Sequence, residues 1–297
     1  MIVVRLKEGL GNQMFQYAAG MALSLQKCTS FYFDDSLYCS DNWYSRNKVK
    51  RSFGLHVFCL TAKPLSGLSR FFVLSLMRKR WSLLRKILSA FRIPGSLVYV
   101  NDMNHERMVD ERLQRLGKDI FLDGYWQTED YFKSIRNIIL DEFKFHEPPN
   151  SVNSAFLSDI ASCDAICVHV RRTDYLTCEN LAIRGICGPN YYQNAIEYIK
   201  SRFPKAQFYF FSDDPTWVKE EFSGMDSVTI IGHNVGHNDS EDLRLMISCK
   251  HFIIANSSFS WWAAWLGQYP GKIVIAPKLW MANGDDFNIV PNNWIRL

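Results

Sequence analysis

The 297-residue chain is 47% hydrophobic and 22% charged, with a formal net charge of +4 and a sequence pI near 8.5. This composition is typical of a folded globular protein and excludes an intrinsically disordered one. The charge is too weak to indicate nucleic acid as a partner, although it suits an anionic substrate. The length suits one large domain or two ordinary ones, and we expect two.

The cysteines and the apolar runs indicate the cellular compartment in which the protein works. Eight cysteines are scattered without a CxxC pair or the spacing of a zinc finger. A chain of this size needs no covalent cross-links, so we expect reduced thiols in a cytoplasm and no structural disulfide. No run of about 18 apolar residues occurs, and the apolar start is too short for a signal peptide. We therefore expect a soluble or peripheral protein.

The first half of the chain predicts an irregular α/β arrangement. A β-branched run at residues 2–6 is followed by the glycines of GLGNQ and by a helical pattern at 14–26. Two prolines in HEPPNS, residues 146–151, favour a turn. We place the domain boundary there, which gives domains of residues 1–149 and 150–297. The other predicted elements of this half are strands at 30–33, 97–100 and 120–122 and helices at 105–116 and 128–143.

Beyond residue 150, short apolar strands alternate regularly with helices. Strands that are apolar throughout are typical of a parallel sheet covered by helices on both faces. Ligands bind such sheets at the carboxyl ends of the strands, so the residues that follow each strand are the functional candidates. The predicted strands are 165–170, 207–211, 227–231, 251–255 and 272–275, and the helices are 191–201, 215–222, 241–249 and 260–266.

Residues 68–93 interleave basic and large apolar side chains. The pattern predicts a basic amphipathic helix or helix pair. Such a helix packs its apolar side on a core, or it contacts an anionic membrane surface or a lipid-linked substrate. Peripheral membrane contact through 68–93 is therefore one hypothesis for this chain.

Two adjacent arginines follow the predicted strand 165–170, in the segment HVRRTDY. Arg171 and Arg172 cannot lose their protons on burial, so they require an anionic partner. A diphosphate is one such partner, because guanidinium groups bind pairs of phosphate oxygens. The alternative is an architectural cluster in which Asp174 and Glu179 neutralise both arginines.

Two aspartates and a serine-rich turn follow two other strands. Asp213 and Asp214 indicate either a shared Mg²⁺ or Mn²⁺, or the N-cap of a helix starting at Pro215 together with recognition of a guanine base; we favour the second. In NSSFSWW, Ser257 and Ser258 lead into a helix whose N-terminus suits a phosphate, with simple capping by Ser258 or Ser260 as the alternative. Three such strand ends in one sheet together predict a nucleotide-diphosphate pocket.

The first half carries two further polar motifs. The turn GLGNQ, residues 9–13, has neither the GxGxxG spacing of a dinucleotide site nor the GK[ST] of a P-loop. The segment DGYWQ, residues 123–127, ends a predicted strand and combines aromatic rings with Asp and Gln. Sugar-binding surfaces use this combination, although burial of the aromatic rings is the commoner explanation.

These motifs resemble those of a known family, the α-1,2-fucosyltransferases, within the wider group of GDP-fucose-dependent α-1,2, α-1,6 and protein O-fucosyltransferases. The segments that carry the resemblance are GLGNQMFQYA, GYWQ, HVRRTDY, FSDD and NSSFSWW, and together they extend over nearly the whole chain. The resemblance implies a GT-B architecture of two facing Rossmann-like α/β domains. The C-terminal domain would bind GDP-fucose and the N-terminal domain the acceptor.

The resemblance also implies a reaction. L-Fucose would be transferred with inversion, without a metal or other cofactor, to form an α-1,2 linkage with a galactose-containing oligosaccharide that is soluble or lipid-linked. Because this chain lacks the transmembrane anchor of the animal members, the resemblance implies a bacterial, cytoplasmic enzyme. A different GDP-fucose transferase, α-1,6 or protein O-linked, and a non-catalytic nucleotide- or glycan-binding protein are the alternatives.

Roles for individual residues follow from the resemblance. Arg171 would pair with the diphosphate, His169 would lie against the donor, and Asp214 would contact guanine. Asn12 would reach the fucose and the β-phosphate from the other domain. Ser257 and Ser258 would bind phosphate, and the remaining residues expected around the donor are Arg172, Gly11 and Phe259.

A carboxylate is needed to accept the proton of the acceptor hydroxyl. Asp174 is the first candidate because it belongs to the HxRRxD motif, but an ion pair with Arg172 explains it almost equally well. The other candidates for this general base are Glu179, Asp123 and Asp242.

Overall fold

The chain, described here by a computed structural model, forms two compact units, Met1–His146 and Glu147–Leu297. The structure describes residues 1–38, 51–77, 97–102, 113, 115–284 and 288–297. The division lies inside the HEPPNS segment, between His146 and Glu147 rather than between residues 149 and 150. Most of the predicted helix 105–116 and of the basic stretch 68–93 lies outside the described residues.

The first unit is built on a parallel sheet. Within the described residues, its strands are β1 Ile2–Arg5, β2 Phe31–Asp34, β3 Lys63–Pro64, β4 Val98–Asp102 and β5 Ile120–Gly124, and its helices are α1 Leu10–Gln26, α2 Gly67–Met77 and α3 Arg136–Glu142. The strands pair in the order β3-β2-β1-β5-β4, every pair parallel. The predicted helix 128–143 is instead two turns of 3₁₀ helix, Glu129–Tyr131 and Lys133–Ile135, followed by α3.

Helix α1 starts earlier than the sequence predicted. It begins at Leu10, because the carbonyl of Gly9 already accepts hydrogen bonds from the backbone N–H groups of Asn12 and Gln13, at 3.0 and 3.1 Å. The GLGNQ segment is therefore mostly the first turn of a helix rather than a loop. A Cβ added at Gly20 would lie 2.5 Å from the ring of Phe31, so glycine is what allows α1 to approach β2 this closely.

The second unit confirms the predicted parallel sheet. Its strands are β6 Ala165–Val170, β7 Gln207–Ser212, β8 Val228–Ile231, β9 His251–Ile253, β10 Val274–Ala276 and β11 Ile295–Arg296. Its helices are α4 Ser151–Ser162, α5 Cys178–Arg184, α6 Pro189–Lys200, α7 Pro215–Glu221, α8 Asp239–Ser248 and α9 Ser258–Leu266. The order is β11-β10-β9-β6-β7-β8, again parallel throughout.

Alternation along β6 divides its side chains between two helical layers. Val168 and Val170 pack with Tyr192 of α6 and Val218 of α7 in one core cluster. His169 points to the other face, where its ring lies 6.0 Å from that of Phe259 in α9. Both faces of the sheet are therefore covered, and the strand ends are the places where polar groups can meet a ligand.

Two helices of the second unit were not predicted. Helix α4 follows directly after the two prolines, because the side chain of Asn150 caps it by accepting a hydrogen bond from the backbone N–H of Asn153 at 2.8 Å. Helix α5 is short and is capped by Thr177. Among the described residues, all cysteines are free thiols and no helix is long and apolar enough to cross a bilayer.

Candidate active site

Arg171, the first residue after β6, is fixed in place by two carboxylates. Its Nε and Nη2 atoms donate to the two carboxylate oxygens of Asp174, both at 2.8 Å, and Nε lies 3.3 Å from Oδ2 of Asp213. Burial alone would lower the pKa of Arg171, but these carboxylates outweigh it and raise the pKa. Within the part of the chain that the structure describes, Nη1 has no hydrogen-bond partner. One edge of the guanidinium is thus available to a ligand.

Arg172 has different neighbours from those that the sequence suggested. The predicted alternative of an ion pair between Asp174 and Arg172 is wrong, because Asp174 pairs with Arg171. The Nε atom of Arg172 lies 3.4 Å from Oδ2 of Asp214, and its guanidinium lies 4.2 Å above the ring of Trp217. Stacking on an aromatic ring leaves the edge of a guanidinium free to bind phosphate.

Asp213 joins the loop after β6 to the loop after β7. One of its oxygens accepts from the backbone N–H of Arg172 at 2.9 Å, and the other accepts from the N–H of Thr173 at 3.1 Å. From the sequence, Asp213 was a candidate metal ligand or helix cap, but the residue that caps α7 is Asp214. The parallel pairing of Val170 with Ser212 puts the two loops side by side, and this register is the signal that could have revealed that Asp213 joins them.

Asp214 is the N-cap of α7, as predicted. Its Oδ1 atom accepts from the backbone N–H of Trp217 at 3.1 Å, and Pro215 occupies the first turn. Because Oδ2 faces Arg172, both carboxylate oxygens have protein partners, and contact with guanine stays a prediction. The described residues include no group of three or more His, Cys, Asp or Glu side chains arranged to hold a metal ion.

The serine turn after β9 leads into a helix without a side-chain cap. Helix α9 begins at Ser258, with Ser257 in the N-cap position, and no side-chain hydrogen bond caps it. The predicted alternative of capping by Ser258 or Ser260 is therefore wrong; the Ser260 hydroxyl donates to the carbonyl of Ser257 at 3.3 Å. The backbone N–H groups of the first turn, at the positive end of the helix dipole, are not satisfied by any cap.

The loops after β6 and β9 meet. The hydroxyl of Tyr175 donates to the carbonyl of Asn256 at 3.1 Å, and the side-chain amide of Asn256 donates to the carbonyl of Arg184 at 2.8 Å. The guanidinium groups of Arg171 and Arg184 lie 5.9 and 5.3 Å from the ring of Tyr175. The structure thus brings Arg184, which the sequence analysis missed, to the same edge of the sheet; it ends helix α5, which was itself not predicted.

His169 is a buried, neutral imidazole at this edge. Burial, reinforced by the positive charge of Arg171, lowers its pKa to about 3, although Asp213 opposes the shift. Its Nδ1 atom is buried without a hydrogen-bond partner in the described structure. The ring is therefore uncharged at neutral pH and packs against Phe259. It offers the candidate site a surface for packing and no positive charge.

In the first unit, the two polar motifs come together. The side-chain amide of Gln127 donates to Oδ1 of Asn12 at 2.5 Å, which joins GYWQ to the first turn of α1, where Gly11 also lies. Between Tyr125 and Gln127, Trp126 is fully buried with a backbone φ of 55°. A left-handed conformation is strained for a residue of this size, and such strain concentrates at functional positions.

The reserve candidates for the general base, Asp242 and Asp123, lie in environments that shift their pKa values in opposite directions. Burial raises the pKa of Asp242 to about 7, with Asp239 and Glu241 adding to the shift. Burial would also raise the pKa of Asp123, but the charges of Lys7 and Arg5 outweigh it and lower the pKa. The side chain of the remaining candidate, Glu179, lies outside the described structure.

The chain has the GT-B fold of glycosyltransferases, in which two α/β units are each built on a parallel sheet. Solved structures share this fold. The fucosyltransferase NodZ from Bradyrhizobium has a TM-score of 0.53 and 16% identity, covering 92% of this chain and 94% of that one. An Arabidopsis thaliana FUT1 mutant in complex with GDP has a TM-score of 0.54 and 12% identity, covering 92% of this chain and 69% of that one.

Comparison of the sequence with known proteins shows the family to which the chain belongs. The profile of glycosyl transferase family 11 matches residues 69–296, and the chain belongs to this family. An α-1,2-colitosyltransferase from Escherichia coli is 33% identical, covering 100% of this chain and 98% of its own. The galactoside 2-α-L-fucosyltransferase Sec1 of Mus musculus is 24% identical, covering 90% of this chain and 64% of its own. The resemblance to α-1,2-fucosyltransferases is confirmed.

Proposed function

We propose that this chain transfers L-fucose from GDP-fucose, with inversion and without a metal ion, to form an α-1,2 linkage with a galactose-containing oligosaccharide. The single observation that carries the proposal is the geometry of Arg171. Its guanidinium is held rigidly by Asp174 and Asp213 at the end of β6, with Nη1 unoccupied among the described residues. A fixed cation with a spare donor edge is suited to a diphosphate.

The uncapped N-terminus of α9 supports the same assignment. Contacts between Tyr175 and Asn256 and between His169 and Phe259 bring the loop that contains Arg171 close to this helix end. In the proposed complex, Arg171 binds one side of the diphosphate, and the backbone N–H groups that follow Ser257 bind the other. Arg172 and Arg184 would add positive charge around the same group.

The reaction would be a direct displacement. The acceptor hydroxyl oxygen forms a bond to C1 of fucose while the bond from C1 to the β-phosphate oxygen breaks, and the hydroxyl proton passes to a base. Negative charge grows on the β-phosphate in the transition state, where donors fixed in advance stabilise it without reorganisation. We assign Asp174 to holding Arg171, since both of its oxygens already accept hydrogen bonds from the guanidinium.

Other residues would have supporting roles. His169 and Phe259 would bound the donor on the α9 side of the sheet, and Asp214 would position guanine through α7. We also propose that Asn12, next to Gly11 and held by Gln127, contributes to binding of the sugar and β-phosphate.

A second donor is favoured by one observation, the 33% identity to an α-1,2-colitosyltransferase over the whole chain. Colitose is the 3-deoxy form of L-fucose, so the two GDP-sugars differ by one hydroxyl group. A site that hydrogen-bonds that hydroxyl rejects the deoxy sugar strongly, whereas a site that leaves it in water accepts both.

A GDP-release assay tests both donors. Purified protein is incubated with GDP-fucose or GDP-colitose and a panel of galactosides, with and without EDTA, and the linkage of the product is determined. We expect acceptor-dependent GDP release that EDTA does not abolish and an α-1,2 product. Donor binding without turnover on any galactoside would instead support a binding protein, and an α-1,6 product would contradict the proposed linkage.

A further inference from the structure

Helix α2, Gly67–Met77, has one buried side and one solvent-exposed apolar side. On the buried side, Val73 is 3% exposed and packs in a core cluster with Leu65 and Phe121. On the other side, large apolar side chains stand in solvent: Leu68 is 89% exposed, Phe71 71% and Phe72 65%. We call these three residues the α2 apolar face.

The three side chains form one surface. Residues three and four apart lie side by side on a helix, so Leu68, Phe71 and Phe72 are neighbours. Arg70 lies 3.2 Å from a carboxylate oxygen of Asp35, and this contact together with the packing of Val73 fixes which side of α2 faces outward. Single exposed apolar residues are ordinary on protein surfaces, but a contiguous group marks an interaction site.

The sequence around this face carries an extreme charge. From residue 67 to residue 101 there are seven arginines and lysines and no aspartate or glutamate, a net charge of +7. The whole chain has a net charge of +4, so the remaining residues sum to −3. The basic residues are Arg70, Arg78, Lys79, Arg80, Arg85, Lys86 and Arg92.

We propose that the α2 apolar face docks on a lipid bilayer that contains anionic lipid. Leucine and phenylalanine side chains enter the boundary between headgroups and acyl chains, and basic residues that follow closely in the sequence are attracted to the negative surface. A second copy of the chain is disfavoured as the occupant, because the segment that contains the face carries the same net charge of +7 in both copies and like charges repel. A nucleic-acid duplex is disfavoured because its outer surface is a charged phosphate backbone, which gives the apolar side chains no burial. The inference does not depend on the proposed function.

Flotation with vesicles tests the proposal. The full chain is mixed with phosphatidylcholine vesicles with and without phosphatidylglycerol, at ionic strengths of about 0.1 M and about 1 M, where the Debye length falls from about 10 Å to about 3 Å. We expect the protein to float only with the anionic vesicles and less at high salt. The test variant carries Leu68→Ser, Phe71→Ser and Phe72→Ser. The matched control carries Val152→Ser, Val235→Ser and Leu279→Ser, which replace apolar side chains that are 51%, 72% and 56% exposed in the second unit.

The variants separate the outcomes. We expect the α2 variant to keep the circular dichroism spectrum and melting temperature of the wild type and to lose about tenfold or more in vesicle partitioning, since burying one large apolar side chain is already worth about tenfold. The control variant should float like the wild type. The proposal is overturned if the wild type does not float with anionic vesicles or if the α2 variant floats equally well. Dissociation of a wild-type dimer by the α2 substitutions would also overturn it.

Discussion

Asp174 binds Arg171, three residues before it in the chain, through two hydrogen bonds of 2.8 Å that join Oδ1 to Nε and Oδ2 to Nη2. This pair of hydrogen bonds, here called the fork, fixes both the position and the plane of the guanidinium. A turn of 3₁₀ helix, Asp174–Leu176, makes it possible by folding the chain back immediately after β6. An arginine fixed in this way needs no reorganisation when a charge appears beside it, which is the property that electrostatic catalysis requires.

Arg171→Ala removes the proposed phosphate ligand. We expect kcat for GDP release to fall by about 10²- to 10³-fold, on the scale of losing one preorganised donor to a developing anion. Steady-state kinetics with circular dichroism as the test of fold measures this. Arg202→Ala, which removes an arginine stacked on Tyr198 elsewhere in the same unit, should leave kcat unchanged. Near-normal turnover in a folded Arg171→Ala variant would contradict the assignment.

Asp174→Asn tests whether this carboxylate positions Arg171 or accepts the proton. We expect kcat to fall by about 10- to 100-fold because one charge-assisted hydrogen bond of the fork is weakened. The acid limb of the pH-rate profile should persist. Its disappearance would show that Asp174 is the general base. Asp141→Asn breaks another ion pair with i,i+3 spacing, to Lys144 on the surface, and should change neither quantity.

Ser258→Pro removes one backbone N–H from the start of α9 and little else. Proline suits the first helical position, and the ψ of 128° at Ser257 is compatible with a following proline. We expect Kd for GDP, measured by calorimetry, to rise by about tenfold or more, because a hydrogen bond to a charged group is lost. Ser258→Ala keeps the N–H and should bind GDP more tightly than Ser258→Pro. Ser151→Pro, at the same position of α4, is the control for the substitution itself. Equal GDP affinity in Ser258→Pro and Ser258→Ala would exclude this N–H as a ligand.

Asp242→Asn should stabilise the protein above neutral pH. Burial raises the pKa of Asp242 from 3.8 to about 7, so between these values folding takes up a proton. The free energy of unfolding therefore falls as the pH rises through this window, and the cost of the buried charge is fully present above about pH 7. We expect the variant to gain about 1–3 kcal/mol over the wild type at pH 8 and little at pH 4, by urea unfolding. Asp226→Asn, at an exposed position, should show no such pH-dependent difference. A gain that is independent of pH would contradict the shift.

The second unit could be predicted well from sequence because its strands are marked by unbroken apolar runs. The segments that became β6, β7 and β9 needed no knowledge of tertiary contacts, and a parallel sheet follows from their alternation with helices. Helix α4 gave no such signal, since SVNSAFLSDIAS is rich in serine and follows two prolines. Strands β3 and β11 contain two residues each, so pairing with a neighbour, rather than composition, defines them.

The candidate site could be predicted only in outline. An arginine after a buried strand and serines before a helix can be recognised in a linear sequence, and the structure brings their loops together. Which arginine Asp174 binds depends on the backbone turn at Asp174–Leu176, which leaves no clear mark in composition. Asp213 gains its two backbone donors only through the register of β6 with β7, and Arg184 reaches Tyr175 only through a helix that was not predicted.

The pairing of Arg171 with two carboxylates would affect product release as well as binding in the proposed reaction. In the proposed complex, the diphosphate would meet a cation whose charge is already shared with Asp174 and Asp213, so it would bind less tightly than to an arginine without carboxylate partners. The same two carboxylates would also favour release of the nucleotide product, since they keep the guanidinium paired after the product has left. For the proposed transferase, which would release GDP after each transfer, a partly neutralised arginine would favour rapid turnover over tight product binding.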